Sequence, residues 1–224
     1  MPAERCPTGV GPLDQLLGGG LETDCLTELY GEGGSGKTLV CLEAAARLAL
    51  AERWVCYVDT EGVSVDRLEA ISHGRLEQVL KRLLLATPKD LDEQTKAVDS
   101  ACTLARDGKR PMGLIVLDSA TFHYRLTLST DSEDDGRQAL GRELAGLVGT
   151  AIQARIPVLF TNQVWRNQRT GELEPLGGSF VNHAAKTIVR IDRLAGNRRR
   201  AVLVKHRSLG EGSAEFRITP TGLD

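Results

Sequence analysis

The sequence predicts an α/β fold: a mostly parallel, twisted sheet with helices on both faces and antiparallel strands added toward its C-terminal end. Three observations predict it. Apolar runs of strand length alternate with stretches of helix length, an order that requires crossover connections between parallel strands. A glycine-rich segment, Gly31 to Gly36, follows one of those runs and opens directly into a helical stretch. The last third has short apolar runs parted by turn residues such as Ala195, Gly196 and Asn197, with no helix between them.

In chain order, residues 1–24 are rich in glycine (Gly9, Gly11, Gly18, Gly19, Gly20) and read as an ordered lead-in rather than a separate domain. The apolar run Leu26 to Tyr30 is the first strand of the sheet, and Thr38 to Ala51 is the helix that follows the glycine-rich turn. Trp54 to Asp59, Arg82 to Ala86, Gly113 to Asp118 and Ile156 to Thr161 are the further strands, alternating with helices at Val65 to Ser72, Asp90 to Arg106 and Glu133 to Ala154. Thr187 to Leu194, Ala201 to Lys205 and Ala214 to Thr219 extend one sheet edge as antiparallel strands. At 224 residues the chain suits one domain spanning 1–224. Such a chain removes roughly 70% of its unfolded surface from water, enough to fold without a metal or a disulfide.

Composition excludes several classes. The five cysteines are odd in number and lack C-x-x-C spacing, so they read as small hydrophobes in a reducing cytosol. No apolar run reaches the roughly 18 residues a membrane span needs, and residues 1–20 hold no signal-peptide core, so a cytoplasmic protein without membrane contact is expected. A net charge of −2 makes any nucleic-acid surface local. Its candidates are Trp165 with Arg166 and Arg169, and the C-terminal cluster Arg193, Arg198, Arg199, Arg200, Lys205, His206 and Arg207; the arginine triplet reads equally as a solvated hairpin face. Asp131, Glu133, Asp134 and Asp135 form an acidic run that would repel a phosphate backbone.

The chemistry starts at Gly31, Glu32, Gly33, Gly34, Ser35, Gly36, Lys37 and Thr38, which have the spacing G-x-x-x-x-G-K-T between a strand and a helix. The glycines let successive N–H groups point inward at a phosphate, and the helix aims its positive end at the same place. Lys37 bridges β- and γ-phosphate oxygens and Thr38 offers a hydroxyl to Mg²⁺ in this reading, so a nucleoside triphosphate, ATP, is the expected ligand. Asp118, closing an apolar strand, emerges beside the cradle as a second group for Mg²⁺, held through water. Glu61 follows the strand Trp54 to Asp59 and is placed to orient and deprotonate an attacking water. Gln163 either hydrogen-bonds the γ-phosphate and reports its presence to the segment beyond, or is an ordinary strand-end amide.

Those residues, together with Thr8, Gly9, Leu13, Asp14, Leu16 to Gly20, Thr27, Glu28 and Tyr30 before the cradle, and Tyr57 to Glu61, Leu117 to Ser119, Thr161 to Val164, Leu176 to Gly178 and His183 after it, resemble the RecA/RadA recombinases along essentially the whole chain. The cradle and lead-in are shared with KaiC-like ATPases. The resemblance implies a RecA-like P-loop NTPase core acting in homologous recombination and DNA repair. By position it implies that Gln163 is the γ-phosphate sensor at the start of a DNA-binding loop from Val164 to Phe180, that Arg67 lies against the adenine ring, and that His183 watches the nucleotide from the loop's far end.

The departures from that pattern matter equally. The core begins within ten residues, leaving no N-terminal helical DNA-binding domain and no linker to tie subunit to subunit. The stretch after Asp118 is acidic where recombinases carry a first DNA loop, and Lys205 to Ser208 replace a segment bearing an acidic residue over the neighbouring subunit's ATP. The expectation is a core-only paralogue that binds ATP and DNA, hydrolyses ATP slowly with little stimulation by DNA, and exchanges no strands itself. The resemblance implies a RadA-type recombinase as partner and control over a nuclease that cuts branched DNA; the departures from it leave room for a homo-oligomer but speak against a long filament. A nucleotide-controlled protein adaptor and a KaiC-like signalling ATPase without DNA affinity are the alternatives.

Overall fold

A computed structural model describes residues 4–128, 133–167, 169, 171 and 173–224. Asp131 of the acidic run, and residues 168, 170 and 172 of the expected DNA loop, lie outside the described residues.

The lead-in comprises β1 (Arg5–Cys6), α1 (Gly11–Leu16) and β2 (Leu21–Glu22), with Pro12 in the first turn of α1. The Asp14 carboxylate accepts from the backbone of Thr8 and Gly9 and from the Thr8 hydroxyl, which curls the segment so that Val10, Leu13, Leu17 and Leu21 are buried in the core. The lead-in therefore packs on its own domain. Then follow β3 (Leu26–Tyr30), α2 (Lys37–Leu50), β4 (Trp54–Asp59), α3 (Val65–Ile71), α4 (Leu76–Leu80), β5 (Leu83–Ala86), α5 (Leu91–Arg106), β6 (Met112–Asp118), α6 (Phe122–Thr127), α7 (Glu133–Ala154) and β7 (Val158–Asn162). A two-stranded ribbon, β8 (Val164–Arg166) and β9 (Leu173–Pro175), leads to α8 (Gly178–Ala184), and the chain closes with β10 (Thr187–Arg193), β11 (Arg198–Lys205), β12 (Gly212–Thr219) and β13 (Gly222–Leu223).

Nine strands form the main sheet in the order β13-β12-β11-β10-β3-β7-β6-β4-β5. From β10 to β5 all pairings are parallel, whereas β10 through β13 pair antiparallel, as the pattern of the last third predicts. Both faces are covered, so the strands are apolar on both sides and their alternation sorts residues between two cores. Leu114 and Val116 of β6 face one core with Val55, Tyr57 and Leu159, against α1 to α4; Ile115 and Leu117 face the other with Cys56, Val58 and Phe160, against α5, α7 and α8. All five cysteines are free thiols; four are buried, and Cys41, Cys56 and Cys102 lie among these apolar groups. No helix is long and apolar enough to cross a membrane, among the described residues.

This topology brings the carboxyl ends of β3, β7, β6 and β4 side by side, and the groups that follow those strands share one edge of the sheet.

Candidate functional site

At the end of β3 the backbone turns through Gly31 to Gly36 into α2. Gly31 (φ 154°) passes so close to β10 that a Cβ there would lie 2.3 Å from the Ile191 carbonyl oxygen. Gly36 caps α2 in the left-handed region (φ 101°), which L side chains resist. The Lys37 ammonium folds back over this turn and donates to the carbonyls of Gly31 (2.8 Å) and Glu32 (3.1 Å). Burial lowers its pKa, while the Glu61 and Asp118 carboxylates pull it upward. Ser35 is fully buried in the turn, and its Oγ has no hydrogen-bond partner among the described residues.

Asp118, at the end of β6, is 2% exposed. Tyr57 donates its hydroxyl to Oδ2 (2.8 Å) and Thr161 to Oδ1 (2.5 Å). Burial raises the Asp118 pKa; hydrogen bonds from Thr161, Tyr57 and Thr38 draw it back down, and Glu61 adds to the rise. On the adjacent strand Asp59 accepts from the amides of Glu61 (3.2 Å), Gly62 (2.8 Å) and Val63 (2.6 Å), which shapes the loop presenting Glu61. Gln163, just beyond β7, donates its side-chain amide to Glu61 Oε1 at 2.9 Å, and its backbone N–H to the Thr121 hydroxyl at 3.1 Å.

A cavity of about 330 Å³ opens here, lined by Gly33, Gly34, Gly36, Lys37, Thr38, Glu61 and Asp118, and also by Leu42, Arg67 and Ile218. The Arg67 guanidinium is fixed by the carbonyls of Thr219 and Pro220, at 3.0 Å each, so the C-terminal hairpin holds it beside Ile218. The residues suit a nucleoside triphosphate with Mg²⁺. A glycine turn with no room for a Cβ at Gly31, a buried ammonium and the N-terminus of a 14-residue helix fit an anion, and the oxygen donors Thr38 and Asp118 fit a hard divalent cation.

Gly31 and Glu32 line a smaller cleft beside Arg190 and Arg193 rather than the main cavity. Arg166 of the ribbon places a guanidinium nitrogen 4.0 Å from the Glu32 carboxylate and donates to the Gly171 carbonyl (2.7 Å); Trp165 beside it is 44% exposed and Arg169 is exposed. His183, expected to watch the nucleotide, is exposed in the last turn of α8 and is not among the residues lining the cavity.

Two residues expected on the DNA surface, Lys205 and Arg207, are exposed and also hold partners within the chain. Lys205 donates to the carbonyls of Asn182 (2.7 Å) and Ala185 (2.8 Å), closing the C-terminus of α8. Arg207 pairs with the buried Glu22 (2.8 Å) and with Asp24 (2.9 Å), tying the last third to the lead-in. Lys205 stands opposite Ile188 at the start of β10, so it lies at the amino end of the parallel strands, away from the cavity at their carboxyl end. The charges meet acceptors that the linear sequence does not place near them.

The sequence marks Tyr57, Asp59 and Thr161 only as part of the resemblance and assigns neither them nor Ile218 a place at the site, yet all four hold or line it. Alternation along β11 offered a signal for one more: Arg198 and Arg200 meet Glu215 on the outer face, and Arg199 between them turns inward to the Gly34 carbonyl (3.1 Å).

The sheet order and the grouping of the glycine turn with Asp118, Glu61 and Gln163 at one edge define a RecA-like α/β core. The chain belongs to the Rad51 family, whose profile matches residues 4–224. It is similar along its length to proteins named DNA repair and recombination protein RadB. That of Methanoculleus marisnigri is 40% identical over 100% of this chain and 99% of its own. That of Thermoplasma acidophilum is 41% identical over 98% and 93%, and that of Methanococcoides burtonii 36% over 98% and 97%.

Proposed function

We propose that this chain is an ATP- and DNA-binding accessory of recombination and repair that hydrolyses ATP slowly, gains little from DNA, and exchanges no strands by itself. The observation that carries the reading is the Gln163–Glu61 hydrogen bond, which joins the cavity to the first residues of the ribbon. Lys37 and the cradle amides hold the phosphates, Thr38 and Asp118 hold Mg²⁺, and Glu61 orients water in line with the γ-phosphorus. Bound Mg²⁺ neutralises phosphate charge. Gln163 hydrogen-bonds the γ-phosphate from one side and Glu61 from the other, and Arg67 with Ile218 contacts the base. Trp165, Arg166 and Arg169 meet DNA, the aromatic stacking on bases beside phosphate-binding cations.

The partners in this reading are single-stranded or branched DNA, a RadA-type recombinase and a nuclease acting on branched DNA, in a cytoplasmic setting and with a homo-oligomer rather than a long filament. The names of the relatives support the recombination role, and the exposed ribbon supports DNA contact. The test is steady-state ATP hydrolysis with and without single-stranded DNA, alongside DNA retention by the wild type, Lys37→Ala and Arg166→Ala/Arg169→Ala. A large DNA-dependent rise in rate, or retention unaltered by the arginine pair, overturns it. The exposed Trp165 and Phe180 favour one second reading, a nucleotide-controlled adaptor docking a protein; such docking would respond little to salt.

A further inference from the structure

Arg199 is the second residue of the antiparallel strand β11, yet it is only 7% exposed and reaches across the sheet edge to the glycine turn. One guanidinium nitrogen donates to the Gly34 carbonyl (3.1 Å); another donates to the carbonyls of Arg198 (2.8 Å) and Gly196 (3.3 Å) at the hairpin turn. Its Nε is buried with no hydrogen-bond partner among the described residues. Opposite it in register is Arg193, whose guanidinium approaches the same turn, 3.9 Å from where a Cβ on Gly34 would stand. Two like charges thus meet at the rim of the cradle; burial lowers the Arg199 pKa, and the Arg193 charge lowers it further.

We propose that Arg199 is a positioning residue for the phosphate cradle, acting from within the same chain, and that the Arg193–Arg199 pair makes the cradle selective for ligands with more phosphates. This rests on the nucleotide reading above. The peptide unit is planar, so an arginine that fixes the Gly34 carbonyl also fixes the direction of the next N–H, that of Ser35. That amide now meets the Glu32 carbonyl at 3.1 Å, within the turn. Holding the Gly34–Ser35 peptide in one orientation removes part of the ordering cost that phosphate binding would otherwise bear. The mutual repulsion of the two guanidinium groups falls when polyanionic phosphate lies beside them, and the benefit grows with phosphate charge.

The test is calorimetric titration of the folded protein with Mg²⁺ and ATP, ADP or AMP, for the wild type, Arg199→Met, Arg199→Lys and Arg193→Ala. Arg199→Met keeps the aliphatic stem and should weaken ATP binding by about tenfold, the worth of one charge-assisted hydrogen bond, while changing AMP binding little. Arg199→Lys, which retains one charged donor, should recover part of the loss; Arg193→Ala should lower the ATP-to-AMP preference with no loss of thermal stability. Equal weakening for all three nucleotides, or unchanged ATP binding by Arg199→Met or, if that variant does not fold, wild-type ATP-to-AMP preference in Arg199→Lys together with Arg193→Ala, overturns the proposal. Absence of nucleotide binding by the wild type would instead defeat the nucleotide reading itself.

Discussion

The side-chain amide of Gln163 and the carboxylate of Glu61 are hydrogen-bonded at 2.9 Å although 102 residues separate them in sequence. One follows β7 and the other follows β4, and β6 with Asp118 lies between. A residue at the root of the ribbon therefore touches the carboxylate proposed to activate water.

Because they touch, substitutions at these two positions should not add. Glu61→Gln should slow hydrolysis by about 10²–10⁴-fold while ATP still binds, and Gln163→Ala should slow it too. The double variant should be scarcely slower than Glu61→Gln alone, since groups acting as a unit are non-additive. Phosphate-release rates for the four proteins check this; strict multiplicativity would show two independent groups.

Asp118→Asn keeps the shape that Tyr57 and Thr161 grip but loses the charge. Nucleotide affinity should then cease to depend on Mg²⁺ while the fold persists. Asp118→Ala should unfold more easily, because two buried hydroxyls lose their acceptor at about 1–3 kcal/mol each. Titrations with and without Mg²⁺, beside urea unfolding curves, separate the two effects.

Glu143, on α7, accepts from Thr95 (2.7 Å) and Gln94 (2.8 Å), and burial raises its pKa from 4.5 to about 7. The folded state therefore holds this proton more tightly than the unfolded state does. The stabilisation is fully present below pH 4.5, and it is lost as pH rises through about 7. Its full size is about 3 kcal/mol at 1.36 kcal/mol per pH unit. Glu143→Gln should flatten the decline between these values, leaving the share due to Glu28, which burial also raises to about 7. Urea midpoints measured from pH 4.5 to 8 test the sign.

Lys205→Ala and Arg166→Ala should fail in different ways. The first removes the donor that closes α8 and should lower stability while leaving the salt dependence of DNA binding intact. The second should weaken DNA binding and reduce the slope of log affinity against log salt by about one. Binding isotherms at several salt concentrations, paired with melting curves, distinguish them.

Much of this was legible in the sequence, for identifiable reasons. Leu26–Tyr30, Trp54–Asp59 and Glu133–Ala154 carry the bounds that their hydrophobic patterning predicts, because strands buried on both faces and a long helix leave strong local signals. Leu76–Leu80, Phe122–Thr127 and Gly178–Ala184 were not anticipated; helices of five to seven residues owe their formation to what they pack against. The cradle, Asp118 and Glu61 announce themselves through spacing. The tasks of Lys205 and Arg207 do not, since Ala185 and Glu22 become their neighbours only after the sheet is assembled.

The eight residues of β11 carry Arg199 to the glycine turn near one end and Lys205 to the close of α8 at the other, about 20 Å apart along an extended strand. A slip of a single residue against β10 would send Arg199 to the outer face and withdraw Lys205 together. The strand is bolted at both ends, so an error in its alignment would be felt at the phosphate rim and at the close of α8 at once.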